Sequence, residues 1–260
     1  MAVLGIVGSP RKNKRTDKLV EAALEGVRSA GMAAHKIYLV DYDIRPYCGR
    51  GGSEEAFTLG PRDLSRLCGE AEAIVLGAPV YWGDINGLTK DFMDTVQTPD
   101  SNGKPALGIA IAGGSGKGLL SGVQSIYHFF YHRQMRGIDP TPVSRFNMQE
   151  ALEGLKVSGQ RLAEAARNRQ PFPGESREER WPEVLAHYAT LDYLDDGPLE
   201  EFLMLAEQLL ELSANGRGKA DENEVDRARI EFDEALEALE AGHLEDAARH
   251  AVRCYQILFF

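Results

Sequence analysis

The sequence predicts an α/β architecture, a parallel sheet with helices on both faces, followed by an all-helical C-terminal extension. Two observations carry this. Short apolar runs alternate five times with helix-period stretches between residues 2 and 168, the signature of strand–helix–strand crossovers. The charge then changes character. Residues 1–170 carry 21 basic and 18 acidic side chains, a net of +3, whereas residues 171–260 carry 8 and 22, a net of −14. We therefore expect two differently built parts, 1–170 and 171–260.

Residues 2–8 read as a buried strand and 17–30 as a helix burying Leu19, Val20, Ala23, Leu24 and Val27, with Gly31 as its stop. A second strand is expected over 34–40. Residues 41–60, rich in Gly and Pro, read as loop, and 61–70 as a short helix. A third strand spans 72–78 and ends at Pro79. A helix follows at 85–97, with Leu88, Phe92, Met93 and Val96 inward. The pattern continues with a strand at 105–112, a helix at 118–136, a strand at 138–146 and a closing helix at 148–168. Residues 170–181 have linker composition. Beyond them, 182–194, 198–213, 224–241 and 243–258 read as helices, the last two turning at Gly242. The apolar stripe from Leu199 to Leu212 is expected to be core or a subunit interface, and a homo-oligomer is expected.

Composition excludes several classes. No apolar run reaches membrane-spanning length, and the first residues lack the apolar core of a secretion signal. Three scattered cysteines, Cys48, Cys68 and Cys254, fit a reducing cytoplasm better than a disulfide framework. The acidic balance, −11 overall, argues against nucleic acid as a partner.

Three loops following strands one, three and four fall at the rim where open α/β sheets bind ligands. The first is Gly8-Ser9-Pro10-Arg11-Lys12-Asn13-Lys14-Arg15-Thr16. A strand, a polar loop and a helix start point backbone N–H groups at an anion. Ser9, Asn13 and Thr16 add hydrogen bonds, and Arg11, Lys12, Lys14 and Arg15 add charge, a set suited to a phosphate monoester. A basic surface turn is the plainer alternative. The second loop, Pro79-Val80-Tyr81-Trp82-Gly83, offers aromatic faces and a close backbone approach to a flat ring. Its alternative is a hydrophobic plug. The third, Gly113-Gly114-Ser115-Gly116-Lys117-Gly118, is not a nucleotide P-loop. Ile111 stands where that motif needs its first Gly, and Gly118 where it needs Ser or Thr. It suits N–H donation to a ring edge, or a purely structural role.

Taken together, these three loops and Leu88-Thr89-Lys90-Asp91-Phe92-Met93-Asp94 resemble the NADPH-dependent FMN reductase-like family, over about residues 2–168, including its iron–sulfur flavoprotein branch. The resemblance implies a flavodoxin-like, doubly wound five-stranded sheet in the order 2-1-3-4-5. It implies FMN, its phosphate on Ser9, Arg11, Lys12, Asn13, Arg15 and Thr16. The ring would lie against Pro79, Val80, Tyr81, Trp82 and Gly83, its far edge on Gly113, Gly114, Ser115 and Gly116. It also implies NADPH or NADH as donor and a small-molecule acceptor that is quinone-like, nitro, azo or metal. No side chain is singled out as catalytic. The alternatives are a non-enzymatic FMN electron carrier and a flavin-binding regulatory module that docks a partner through its helical tail.

Cys48 stands alone where the iron–sulfur branch clusters its cysteines. One thiolate cannot hold a four-iron cluster, so neither cluster nor metal is expected. His128 and His132, four apart on one helix, are expected to pack with aromatics rather than bind a metal.

Overall fold

The structure is a computed structural model and describes residues 2–49, 60–99 and 101–260. Much of the expected 41–60 loop, including Arg50, Gly51 and Gly52, lies outside those residues. The elements are β1 (Ala2–Val7), α1 (Arg15–Ser29), β2 (Ala33–Tyr38), a 3-10 turn (Leu39–Asp41), α2 (Arg62–Glu70), β3 (Ala73–Tyr81), β4 (Asp84–Ile85), α3 (Gly87–Thr95), β5 (Pro105–Ala112), α4 (Leu119–His132), β6 (Arg136–Ser144), α5 (Met148–Arg167), α6 (Trp181–Tyr188), α7 (Pro198–Ala214), α8 (Glu222–Glu240) and α9 (Leu244–Phe259).

The main sheet runs β2-β1-β3-β5-β6 with every neighbouring pair parallel. This is the expected order 2-1-3-4-5 once β4, a two-residue antiparallel partner of β3, is set aside. Side chains alternate across the sheet with period two. Val3, Val7, Val75, Leu107 and Ile109 face α1 and α5. Leu4, Ile6, Ile74, Leu76, Ala106 and Ala110 face the opposite layer of α2, α3 and α4. That second core continues without a break into Val184, Leu205, Leu209, Tyr255 and Leu258 of the C-terminal helices. The Leu199–Leu212 stripe is therefore spent inside the chain: Leu203, Leu205 and Leu209 are buried.

Several boundaries move. β3 does not stop at Pro79 but runs to Tyr81. Gly77 bonds toward the β1 side, where its carbonyl accepts the Gly8 N–H at 2.7 Å. By alternation Pro79 faces the same side, where β1 has already ended, so its missing N–H deprives no partner. α4 ends at His132 and β6 starts at Arg136, because Gln134 takes a left-handed φ of 54°. β6 also holds one extra residue between its pairings with Leu107 and Ile109, and Asp139 there has φ 44°. The bulge and the prolines Pro140 and Pro142 are tolerated because β6 is an edge strand.

The expected linker is a strap. Phe172 is buried, with the Arg136 guanidinium 4.2 Å from its ring centroid. Asn102 binds the backbone of Phe172 on both sides, at 3.0 and 3.1 Å, and Gln134 donates to the Arg177 carbonyl at 2.8 Å. Pro and Gly in this stretch set turns; Phe172 anchors it. α6 is shorter than expected, and Tyr131 of α4 packs on its Trp181 and Tyr188. α8 opens two residues earlier than the periodicity placed it, on a reciprocal cap between Asp221 and Glu224. Among the described residues no helix is long and apolar enough to cross a membrane.

α1 and α5 cross at backbone contact. A Cβ on Gly26 would stand 1.9 Å from the Lys156 carbonyl oxygen, and one on Gly159 1.9 Å from that of Ala23. Neither carbonyl can retreat without opening a helical hydrogen bond. Gly159→Ala is therefore expected to destabilise the fold by about 3 kcal/mol, the upper range for overpacking. Urea unfolding checks this, and an unchanged midpoint would refute the contact.

Candidate functional site

Where β1 gives way to α1, Gly8 is held from three directions. Its N–H bonds to Gly77; its carbonyl accepts the Asn86 amide at 2.9 Å and the Thr89 hydroxyl at 3.3 Å. The single Thr89 hydroxyl proton is shared, its shorter bond going to Asn86 Oδ1 at 2.7 Å. Both side chains are buried, so this small network ties the first loop to the start of α3. Sequence reading did not single out Asn86. The helix it heads, Gly-Leu-Thr-Lys-Asp-Phe-Met-Asp-Thr, mixes charged and apolar residues, and no local pattern marks Asn86 out.

Beyond Gly8, the Ser9 hydroxyl accepts the Arg11 N–H and donates to the Arg11 carbonyl, both at 3.1 Å, closing a tight turn. Asn13 takes φ 57°, and α1 begins at Arg15. Its N-cap, Lys14, offers no side-chain acceptor. The first-turn N–H groups therefore have no side-chain cap. Asp17 could have supplied a carboxylate, but it is turned the other way, toward the Tyr38 hydroxyl at 3.2 Å and Lys36 at 2.8 Å. Burial works against the charge on Lys36, yet the Asp17 and Glu21 carboxylates hold its ammonium above the ordinary lysine range.

The second loop is a hairpin. β4 folds back on β3, pairing Val80 with Ile85 and Tyr81 with Asp84. Trp82 and Gly83 form the two-residue turn with φ 55° and 91°, both left-handed, as the tightest hairpins require. Gly83 takes this freely. Trp82 does not: a left-handed non-glycine residue costs about 1–2 kcal/mol. Trp82 is also fully exposed, so packing within the described residues does not offset that cost. Asp84 braces the hairpin, accepting the Ser125 hydroxyl of α4 at 2.7 Å.

The third loop joins β5 to α4. Gly116 donates to the Gly113 carbonyl at 2.8 Å, and Gly116 has φ 84°. The Glu201 carboxylate of α7 accepts the Gly118 and Leu120 N–H groups at 2.8 and 3.0 Å. The Tyr255 hydroxyl of α9 donates to the Ser115 carbonyl at 2.8 Å.

These loops enclose one cleft of about 1000 Å³. Ser9, Arg11, Asn13, Arg15 and Thr16 line one end; Pro79, Val80, Tyr81, Trp82 and Gly83 form a wall; Gly113, Gly114 and Ser115 close the other side. Two expected residues are elsewhere. Lys12 pairs with Asp41 and lies over the Tyr38 ring. Gly116 faces away from the cleft, where a Cβ would meet Leu205 at 2.6 Å. Lys14 lines the cleft as its place in the first loop suggests, and Lys18 and Lys117 line it in addition. The described lining thus has five cationic side chains and no carboxylate. In a chain of net charge −11, that concentration of positive charge focuses an anion there.

Outside the cleft, His, Cys and acidic side chains gather in two places among the described residues. His132 stands edge-on to Trp181, and burial, then His128 and nearby arginines, pushes its pKa below the usual range. His128 opens with it on a second cleft, beside Asp94, Lys90 and Arg177. On the outer face of the extension, the His250 ring sits 2.8 Å from Glu231 and 3.0 Å from Glu234, with Arg253 3.9 Å from Glu231. The three thiols stand apart: Cys48 exposed, Cys68 on α2 and Cys254 on α9 buried.

A family model described as NADPH-dependent FMN reductase matches residues 1–145. An iron-sulfur flavoprotein of Archaeoglobus fulgidus is 30% identical over 125 residues, which is 45% of this chain and 57% of that protein. An iron-sulfur flavoprotein of Methanocaldococcus jannaschii is 28% identical over 190 residues, 64% of this chain and 98% of the relative. Among solved structures, an oxidoreductase of Corynebacterium diphtheriae shares the fold with a TM-score of 0.50 at 16% identity, covering 65% of this chain and 98% of that one.

Burial pushes the Cys68 and Cys254 thiols up to about 12. A thiol-specific reagent at pH 8 is therefore expected to titrate one fast thiol, Cys48, in the folded protein and three after unfolding; two fast thiols would refute this burial. The pH dependence has a fixed sign. A thiol in the unfolded chain ionises near about 8.5. The native state keeps these two protons longer, so their contribution is complete below that pH and is lost as pH rises toward 12.

Proposed function

The chain belongs to the NADPH-dependent FMN reductase family, and we propose that its rim cleft seats FMN and serves electron transfer from NADPH or NADH to a small quinone-like, nitro, azo or metal acceptor. The observation that carries this reading is the α1 N-terminus, left without a side-chain cap beside five cations and no carboxylate. A phosphate monoester fits such a place by charge and by hydrogen-bond demand.

In this reading the N–H groups of the first turn of α1, with the Ser9 and Thr16 hydroxyls, hold the phosphate. Arg11, Lys14 and Arg15 neutralise it. The Trp82 hairpin supplies an aromatic and backbone wall for a flat ring. Backbone N–H groups of Gly114 and Ser115 reach the opposite edge, where donors stabilise negative charge. The chemistry such a group would supply when bound is hydride acceptance from nicotinamide and return of electrons to the acceptor. The chain has no separate dinucleotide fingerprint, so nicotinamide must reach the ring through the open mouth of the cleft. The described lining holds no histidine or carboxylate, and no side-chain acid or base is assigned.

We assign residues 1–170 as the cofactor-bearing part and 171–260 as its helical extension. A reducing cytoplasm suits the three separated thiols. We infer a homo-oligomer that associates through a surface other than the buried residues Leu203, Leu205 and Leu209 of α7.

Two experiments test the reading. Arg15→Gln combined with Thr16→Val is expected to weaken FMN binding at least about tenfold, the worth of one or two charge-assisted hydrogen bonds. Riboflavin, which lacks the phosphate, should bind as before; equal losses for both ligands would remove the phosphate from this end. Adding NADPH or NADH anaerobically to the FMN-loaded protein should bleach its visible absorbance within turnover times. Tight FMN with no bleaching would leave the electron-carrier alternative instead.

A further inference from the structure

The C-terminal extension does more than cover the sheet. Four contacts from it converge on the third loop. Glu201, with its side chain buried, places both carboxylate oxygens on the N–H groups of Gly118 and Leu120, one oxygen to each. It thereby caps α4 from 81 to 83 residues away in sequence. Tyr255 donates to the Ser115 carbonyl, the residue at the centre of the loop. Leu205 occupies the space where a Cβ at Gly116 would project, so α7 packs against that side of the loop and leaves no room for a side chain there. Lys117, on the cleft wall, has its ammonium 5.0 Å from the Phe202 ring centroid and 5.3 Å from that of Tyr255.

The loop itself has little to hold it. Four of the six residues from 113 to 118 are glycine, and its one internal backbone bond is Gly116 to Gly113. Glycine loses more conformational freedom on ordering than any other residue, so such a loop does not define its own shape. The external contacts define it. They grip Ser115 and Gly118 from behind, away from the cleft, and leave Gly113, Gly114 and Ser115 on the lining.

We propose that Glu201 and Tyr255 are positioning residues of the cofactor site: the extension sets the 113–118 loop in its ligand-receiving conformation and, through Phe202 and Tyr255, aims Lys117 at the cleft. This deepens the assignment of FMN to the cleft and rests on it for the ligand. The shape of the loop can be tested without the ligand.

The test uses the full-length protein carrying Glu201→Gln or Tyr255→Phe. Hydrogen exchange is followed first without FMN. Amides 114–118 are expected to exchange at least several-fold faster in each variant, while those of Gly8 to Asp17 and of β1, β3 and β5 keep wild-type rates. FMN titration should then show affinity about 5- to 10-fold weaker, the loss expected for one hydrogen bond. The visible flavin bands should shift relative to wild type, which a merely structural role would not produce. Unchanged exchange at 114–118 in both variants would overturn the proposal. So would faster exchange spread evenly over the sheet, since that reports global destabilisation. If Glu201→Gln does not fold, Tyr255→Phe, which removes a single hydroxyl, decides alone. A wild-type protein that takes up no FMN would overturn the ligand assignment, and the exchange rates would still decide the positioning.

Discussion

Backbone N–H groups at the start of a helix must find acceptors, and at this rim that requirement is met in two opposite ways. α1 and α4 both begin at loops on the cleft. α4 receives a carboxylate from within the chain, Glu201. α1 receives none, and the nearest candidate, Asp17, is drawn off by Lys36 and Tyr38. One helix start is thus closed to external anions and the other left open. The cationic lining, the aromatic hairpin and the glycine loop are arranged around that open end.

The same logic explains why so few side chains in the cleft carry chemistry of their own. Family membership assigns the redox step to the bound cofactor, and the chain contributes shape, charge and hydrogen-bond donors. The network Gly8–Asn86–Thr89 fixes the first loop relative to β3 and α3. Asp84 and Ser125 fix the hairpin relative to α4. Residues outside the lining therefore decide where the lining stands.

Much of this was legible in the sequence because the signals were local. Pro105–Ala112 is a strand where its apolar run places it, and the three rim loops follow the strands that the alternation identified. What escaped was non-local. Pro79 reads as a strand end, yet its tolerance depends on β1 stopping at Val7 on the neighbouring strand. Asn86 meets Gly8 across 78 residues, and nothing beside it in sequence announces that. Glu201 is one of many acids on acidic helices; only the fold sets it apart by pointing it at the α4 N-terminus. Phe172 sits in a stretch whose Pro and Gly content reads as linker, and its burial comes from Asn102 and Arg136. Gly116 was placed correctly on its loop, but its side of the loop follows from Leu205.

The glycine contact between α1 and α5 has a consequence at the far end of α1. Two helices touching backbone to backbone, with no side chain between them, have no soft layer through which one can slide against the other. α1 is clamped to the sheet on one side and to α5 on the other, so its first turn is preorganised before any anion arrives. A first turn held that rigidly has little conformational entropy left to lose, and an anion of the proposed kind would keep in residence time what the helix pair has already surrendered in mobility.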